Sequence, residues 1–292
     1  MNGNWNYWGQ KPTQFVALWR RVFNALRRDA PQTAMVWAPS SGNGYPYGRV
    51  TASAEDLILL DTNNDGVVNS RDDPYSPYYP GDEYVDWVGA SIYFYGPTYP
   101  WQDNVEAPPG TFDRILNDGN FYQQYAVVKN KPYMLAETAA SFHTNTPTGP
   151  GVGDLAVKRA FWRQYITNAT FLQTHPQLKM ISLFEFFKAE EKLTNGEDDL
   201  RDFRVSNVTS IREAFLEDFA GVAKYYLTAN YAKPGEVITT SPNGSVFPNL
   251  RTPVVVVDDK LPTGNNNQAI KTSSATTIGS FFSGILSLLF LV

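Results

Sequence analysis

The chain has 292 residues, 42% hydrophobic and 18% charged, enough for one large domain or two modest ones and too apolar for wholesale disorder. A net charge of -5 excludes the basic footprint of a nucleic-acid binder, and the absence of cysteine excludes disulfides, zinc-thiolate and iron–sulfur sites and thiol catalysis. Two histidines, His143 and His175, argue against a multi-histidine metal site, while an aromatic content of 14% suits either an aromatic core or stacking on flat sugar faces.

Residues 12–28 carry apolar side chains at Phe15, Leu18, Trp19, Val22, Phe23 and Leu26, which predicts an amphipathic helix with Pro12 in its first turn. Residues 34–38 read as a short buried strand and 84–95 as a longer one. Weak helices are expected at 111–116 and 121–128, a strand at 133–137, and a long helix at 155–173. A strand at 179–186 and a final helix near 210–219 follow. Residues 233–277 are rich in Pro, Ser, Thr and Asn and read as a stalk. Strands alternating with helices predict a parallel sheet covered by helices; a doubly wound sheet and a (β/α)8 barrel both fit.

Between the first two strands, Asp61, Asn63, Asp65, the Val67 carbonyl, Asn69 and Asp72 stand at positions 1, 3, 5, 7, 9 and 12 of an EF-hand-like loop, with Gly66 at position 6. This spacing resembles the calcium loops of dockerins and predicts a structural Ca2+ ion. The bland alternative is an Asx-rich turn, because Asn, Asp and Gly favour turns anyway.

Glu137 ends the strand 133–137, and in parallel α/β folds that end carries the chemistry. Period-two alternation groups Tyr133, Leu135 and Glu137 on one face, and Gly89, Ser91, Tyr93 and Tyr95 on one face of the strand before it. Tyr93 is thereby expected to hydrogen-bond Glu137 and tune it. A salt bridge or a helix cap is the structural alternative for Glu137. Glycoside chemistry needs a second carboxylate, and Glu185, Glu190 and Glu191 are the visible candidates, the last two in a charged loop.

Five motifs in order, Met1-Asn-Gly-Asn-Trp-Asn-Tyr-Trp-Gly, Val36-Trp-Ala-Pro-Ser, Tyr79-Pro-Gly-Asp-Glu-Tyr-Val-Asp-Trp-Val-Gly, Pro132-Tyr-Met-Leu-Ala-Glu and Asp202-Phe-Arg-Val, resemble glycoside hydrolase family 26. That family comprises retaining (β/α)8 TIM-barrel enzymes and includes β-mannanases. The resemblance implies an α/β fold that is the C-terminal half of such a barrel, strands five to eight with their helices. It implies Glu137 as nucleophile, Tyr93 as its neighbour, and Trp5 as an aromatic beside the sugar subsites. Asn2, Trp8, Trp37, Trp101 and Phe184 are the further candidates for substrate contact. The family's acid/base glutamate belongs to a His-Glu-Met-Asn-Gly motif, of which Met1-Asn2-Gly3 is the tail. The resemblance therefore expects that glutamate, and strands one to four, upstream of Met1.

The chain ends in an apolar, uncharged run, residues 279–292, too short for the roughly 20 residues that span a bilayer. With the polar stretch before it, this pattern matches a GPI-anchor signal, with Asn267, Ser273 and Ser274 as attachment candidates. Sequons at Asn168, Asn207 and Asn243 agree with secretion. The N-terminus shows no signal-peptide pattern, which again points to a start further upstream.

The expected organisation is a partial catalytic domain (1–232), a low-complexity stalk (233–277) and a hydrophobic tail (278–292). The expected protein is a secreted, GPI-anchored glycoprotein at the cell surface, a monomer without a catalytic cofactor. Its expected activity is a retaining glycosidase reaction on a β-linked polysaccharide such as β-1,4-mannan. The chain beginning at Met1 is expected to be nearly inert, and a non-catalytic glycan-binding protein is the alternative.

Overall fold

The computed structural model describes residues 2–5, 7–42, 44–99, 101–146, 149, 151–193, 195–227 and 287–291. The expected stalk and Asn243 lie outside the described residues, as do Asn267, Ser273 and Ser274.

Helix α1 (Pro12–Asp29) starts on Pro12 and ends with Arg27 and Arg28, cations that suit the carbonyl end of a helix. It buries Phe15 and Phe23, and its Trp19 indole donates to the Tyr84 carbonyl at 2.8 Å. Strand β1 (Val36–Trp37) and helix α2 (Ala54–Leu60) follow. Ser53 caps α2 by accepting from the Asp56 N–H, a start signal the apolar periodicity does not carry.

Strand β2 (Trp87–Phe94), helix α3 (Thr111–Leu116) and a π-helical segment (Tyr122–Val128) lead into strand β3 (Tyr133–Ala140). Strand β4 (Phe142–His143), helices α4 (Asp154–Trp162) and α5 (Ala169–Thr174) and strand β5 (Leu178–Leu183) come next. The single helix expected over 155–173 is thus two helices. Asn168 starts the second by accepting from the Phe171 N–H at 3.0 Å, and a capping Asn favours a helix start over a helix interior.

Strands β6 (Phe187–Lys192) and β7 (Asp198–Asp202) form a hairpin, followed by helix α6 (Thr209–Ala220), strand β8 (Tyr226–Leu227) and strand β9 (Ser287–Leu291). β1, β2, β3 and β5 lie side by side and parallel, each pair connected through helical segments. The protein is therefore mixed α/β with a parallel four-stranded sheet, as the alternation predicts. β9 extends that sheet antiparallel to β5, and β8 pairs with its far side. A second, antiparallel sheet has the order β4-β7-β6.

Gly89 permits the closest approach of β2 to β3, since a Cβ there would stand 2.2 Å from the Met134 carbonyl oxygen. The helical side of the sheet is aromatic: Trp37 packs on Phe121 and Tyr125, Tyr133 on Tyr122, and Phe94 on Phe161.

The C-terminal run, in its described part, is a strand with Leu291 buried. Among the described residues no helix is long and apolar enough to cross a membrane.

Candidate active site

Glu137 and Tyr93 meet in the C-terminal halves of two adjacent parallel strands. The Tyr93 hydroxyl donates to Glu137 Oε2 at 2.8 Å. The face grouping expected from strict alternation is corrected by a β-bulge. Ala90 and Ser91 are consecutive, yet they pair with Leu135 and Glu137, leaving Ala136 as an extra residue. Tyr133 packs on Phe121 and Tyr122, and Thr138 shares a hydrogen bond with the Tyr165 hydroxyl at 2.8 Å. Both residues therefore face the helices although they are five positions apart. Glu137 falls between them and turns to the other face, with Tyr93. The strand also runs three residues past Glu137, so the carboxylate is not its last residue.

Tyr93 sits in an aromatic box of Tyr95, Phe184 and Phe203, with ring centroids 5.4–5.9 Å away. Burial, then the neighbouring Glu137 charge, pushes its phenol far above the ordinary value, so it stays protonated and able to donate. Burial and the charge of Glu190 act the same way on Tyr95.

The hairpin of β6 and β7 is the part the sequence reading missed. Glu190 and Glu191 lie on β6 and not in a loop. Asn195-Gly196 between two alternating charged runs is the turn signal that marks the hairpin, and Gly196 has φ +86°. Lys188 pairs with Glu190 at 3.0 Å and its ammonium stands over the Phe184 ring at 5.2 Å. Glu190 thus brings a second carboxylate to the neighbourhood of Tyr93. Glu185 does not: it is buried and accepts from the N–H groups of Val205 and Ser206 and from the Ser206 hydroxyl, which makes it a structural anchor.

Beneath this lies a buried cluster of His143, Asp199 and Arg201. Arg201 donates to Asp199 at 2.6 Å, to Ser141 Oγ at 2.7 Å and to the Trp101 carbonyl at 3.0 Å. His143 Nδ1 stands 2.7 Å from Asp199, and its Nε2 also meets the Trp101 carbonyl. Burial, then the Arg201 charge, holds the His143 pKa low against the opposing pull of Asp199. These contacts fix Trp101 at φ +54°, a left-handed backbone that a bulky residue rarely adopts. Strain of this kind persists where surroundings over-determine it, and here it aims the indole at Tyr95, 5.4 Å between ring centroids.

The other expected contact residues divide. Trp5 is 63% exposed and packs edge-on to Tyr47, and Trp8 is exposed as well. Phe184 is half-buried in the Tyr93 box. Trp37 is wholly buried, with its indole donating to the Tyr78 carbonyl at 3.0 Å, so it is a core residue and out of reach of substrate. Asn2 is also buried. Its amide is spent on the N–H and carbonyl of Ser40, pinning the N-terminal segment beside β1.

The loop 61–72 is closed by its own hydrogen bonds. Asp61 accepts from the N–H groups of Asp65 and Gly66, and Asn69 Nδ2 donates to the Val67 carbonyl. The buried Asp72 carboxylate accepts from Thr62, Asn63 and Asn69. The donors are the hard oxygens that calcium takes. Among the described residues, however, no group of three acidic or histidine side chains is placed to hold a metal ion, and Asp72 is turned onto the backbone.

Asn207 is exposed, and Asn168 is half-buried at the start of α5. No family model matches the chain, and no curated protein matches it.

Proposed function

We propose that the protein is a retaining glycoside hydrolase acting on a β-linked polysaccharide such as β-1,4-mannan, and that its parallel sheet is the C-terminal half of a (β/α)8 barrel. The observation that carries the reading is the 2.8 Å hydrogen bond from Tyr93 to Glu137 on adjacent parallel strands, inside an aromatic box. Glu137 attacks the anomeric carbon while the bond from that carbon to the leaving oxygen breaks. An acid/base carboxyl gives its proton to that oxygen. The same group then takes a proton from water, which hydrolyses the glycosyl ester and frees Glu137. Tyr93 holds Glu137 Oε2, so the other oxygen is the one free to attack.

An activated 2-deoxy-2-fluoro-mannosyl donor with a dinitrophenolate leaving group tests this directly, because that leaving group needs no acid. The expected result is a mass gain of one fluorosugar on the peptide containing Glu137, absent in Glu137→Ala. An unlabelled wild-type chain overturns the assignment.

The exposed Trp5 favours one second reading, a surface protein that holds glycan without cleaving it. Mannan affinity in a chain that never labels Glu137 selects it. Under either reading the apolar C-terminus directs GPI anchoring at the cell surface, Asn168 and Asn207 carry glycans, and loop 61–72 takes calcium by releasing Asp72 from its backbone partners.

A further inference from the structure

Beside Tyr93 lies a cavity of about 390 Å³, within the size range of small-ligand sites. Tyr93, Phe94, Tyr95 and Trp101 are its aromatic lining, together with Pro97, Pro108 and Pro109. Arg114, on α3, is the sole charged side chain in the lining. It is exposed and takes part in no ion pair among the described residues, although its charge reaches Asp118. No Asp, Glu, Asn or Gln lines the cavity.

That composition is informative. A neutral sugar presents hydroxyls, for which the lining offers only the hydroxyls of Tyr93, Tyr95 and Thr111 and no side-chain carboxylate or carboxamide. Its one charged group is a guanidinium beside flat rings. A guanidinium pairs best with a carboxylate, through two parallel N–H···O bonds. The aromatic wall is also built rather than incidental. Trp101 is pinned in its unusual backbone conformation by Arg201 and His143, both nearly wholly buried.

We infer that this cavity is a subsite for a sugar residue bearing a carboxylate, its ring face on Trp101 and Tyr95 and its carboxylate on Arg114. The inference rests on the glycosidase reading, and adds that the polysaccharide carries uronate residues near the bond that is cut.

The test titrates the full chain with two oligosaccharides of equal length, one neutral and one in which a single residue is a uronate, following tryptophan fluorescence. Wild type is expected to prefer the acidic ligand by about 10- to 100-fold, the range for a charge-assisted hydrogen bond. Raised salt is expected to shrink the preference. Arg114→Ala and Arg114→Gln are expected to abolish it and leave neutral affinity unchanged, with the melting temperature reporting that each variant is folded. Equal affinity of wild type for both ligands overturns the inference, as does binding of neither, or an equal loss for both in Arg114→Gln. The failures separate. A chain that labels Glu137 but shows no preference keeps the hydrolase and loses this subsite. One that shows the preference without labelling keeps the subsite and loses the hydrolase.

Discussion

Glu137 reaches Tyr93 because Ala136 is one residue too many in β3. Without that bulge, the alternation that sends Tyr133 toward the helices would send Glu137 there too. The bulge costs local ladder regularity and re-aims one carboxylate, a use that bulges beside reactive sites commonly serve.

Removing the phenol tests what that bond does. Tyr93→Phe is expected to lower the rate of Glu137 labelling by about 10- to 100-fold, the range for losing one hydrogen bond to a charged group. Deleting Ala136 is expected to leave labelling in place, because it removes only the extra residue and keeps Glu137 opposite Ser91 on the face of Tyr93. Peptide-resolved labelling kinetics check both.

Asp218 predicts the acid behaviour of the fold. It is mostly buried and accepts from Arg159, Arg163 and the Trp162 indole, joining α6 to α4. Burial alone would raise its pKa, but these donors outweigh burial and hold it well below the ordinary 3.8. A depressed folded-state value means the unfolded chain binds the proton first. The stabilisation is therefore complete above about pH 3.8 and is lost as pH falls below it. Asp218→Asn is expected to cost about 2 kcal/mol at neutral pH and to flatten the acid limb of a melting-temperature profile. An unchanged acid limb refutes the assignment.

The proposed calcium binding by loop 61–72 predicts a rise in melting temperature. A ligand at 100 times its dissociation constant adds about 2.7 kcal/mol of stability. The rise is expected to disappear with chelator and in Asp61→Ala. No difference between calcium and chelator leaves the loop an Asx turn, stabilised by the hydrogen bonds described above.

The buried cluster under Trp101 predicts a coupled loss. Asp199→Asn is expected to destabilise the fold by about 3 kcal/mol, the scale for stranding a buried arginine. It is also expected to loosen the Trp101 loop, seen as a red shift in tryptophan emission. A stable variant with unchanged emission separates Trp101 from the cluster.

Much of this was legible in the residues. The parallel order of β1, β2, β3 and β5 follows from strands alternating with helical periodicity, and Phe15 and Phe23 stand on the buried face of α1. What escaped was non-local or broke a period. The bulge at Ala136 leaves no mark in a pattern of apolar residues, because alanine suits either face. Trp37 and Trp5 are the same residue type, and burial tells the core indole from the exposed one. The hairpin was hidden because its strands are charged, although Asn195-Gly196 marked its turn. The cluster of His143, Asp199 and Arg201 joins residues some 60 positions apart, and spacing carries no trace of it.

The pairing of β9 with β5 and β8 bears on the proposed anchoring. GPI attachment removes the apolar run at the C-terminus, whereas the folded sheet uses Ser287–Leu291 as a strand. Under the proposed anchoring the two fates exclude each other, and anchoring and self-completion would compete for one segment. A chain processed early would reach the membrane with the edge of β5 open to another strand. A chain that folded first would hide its own address. Comparing the melting temperatures of the full chain and a chain ending at residue 277 measures what is at stake, expected to be at least about 2 kcal/mol from the burial of Leu291 alone.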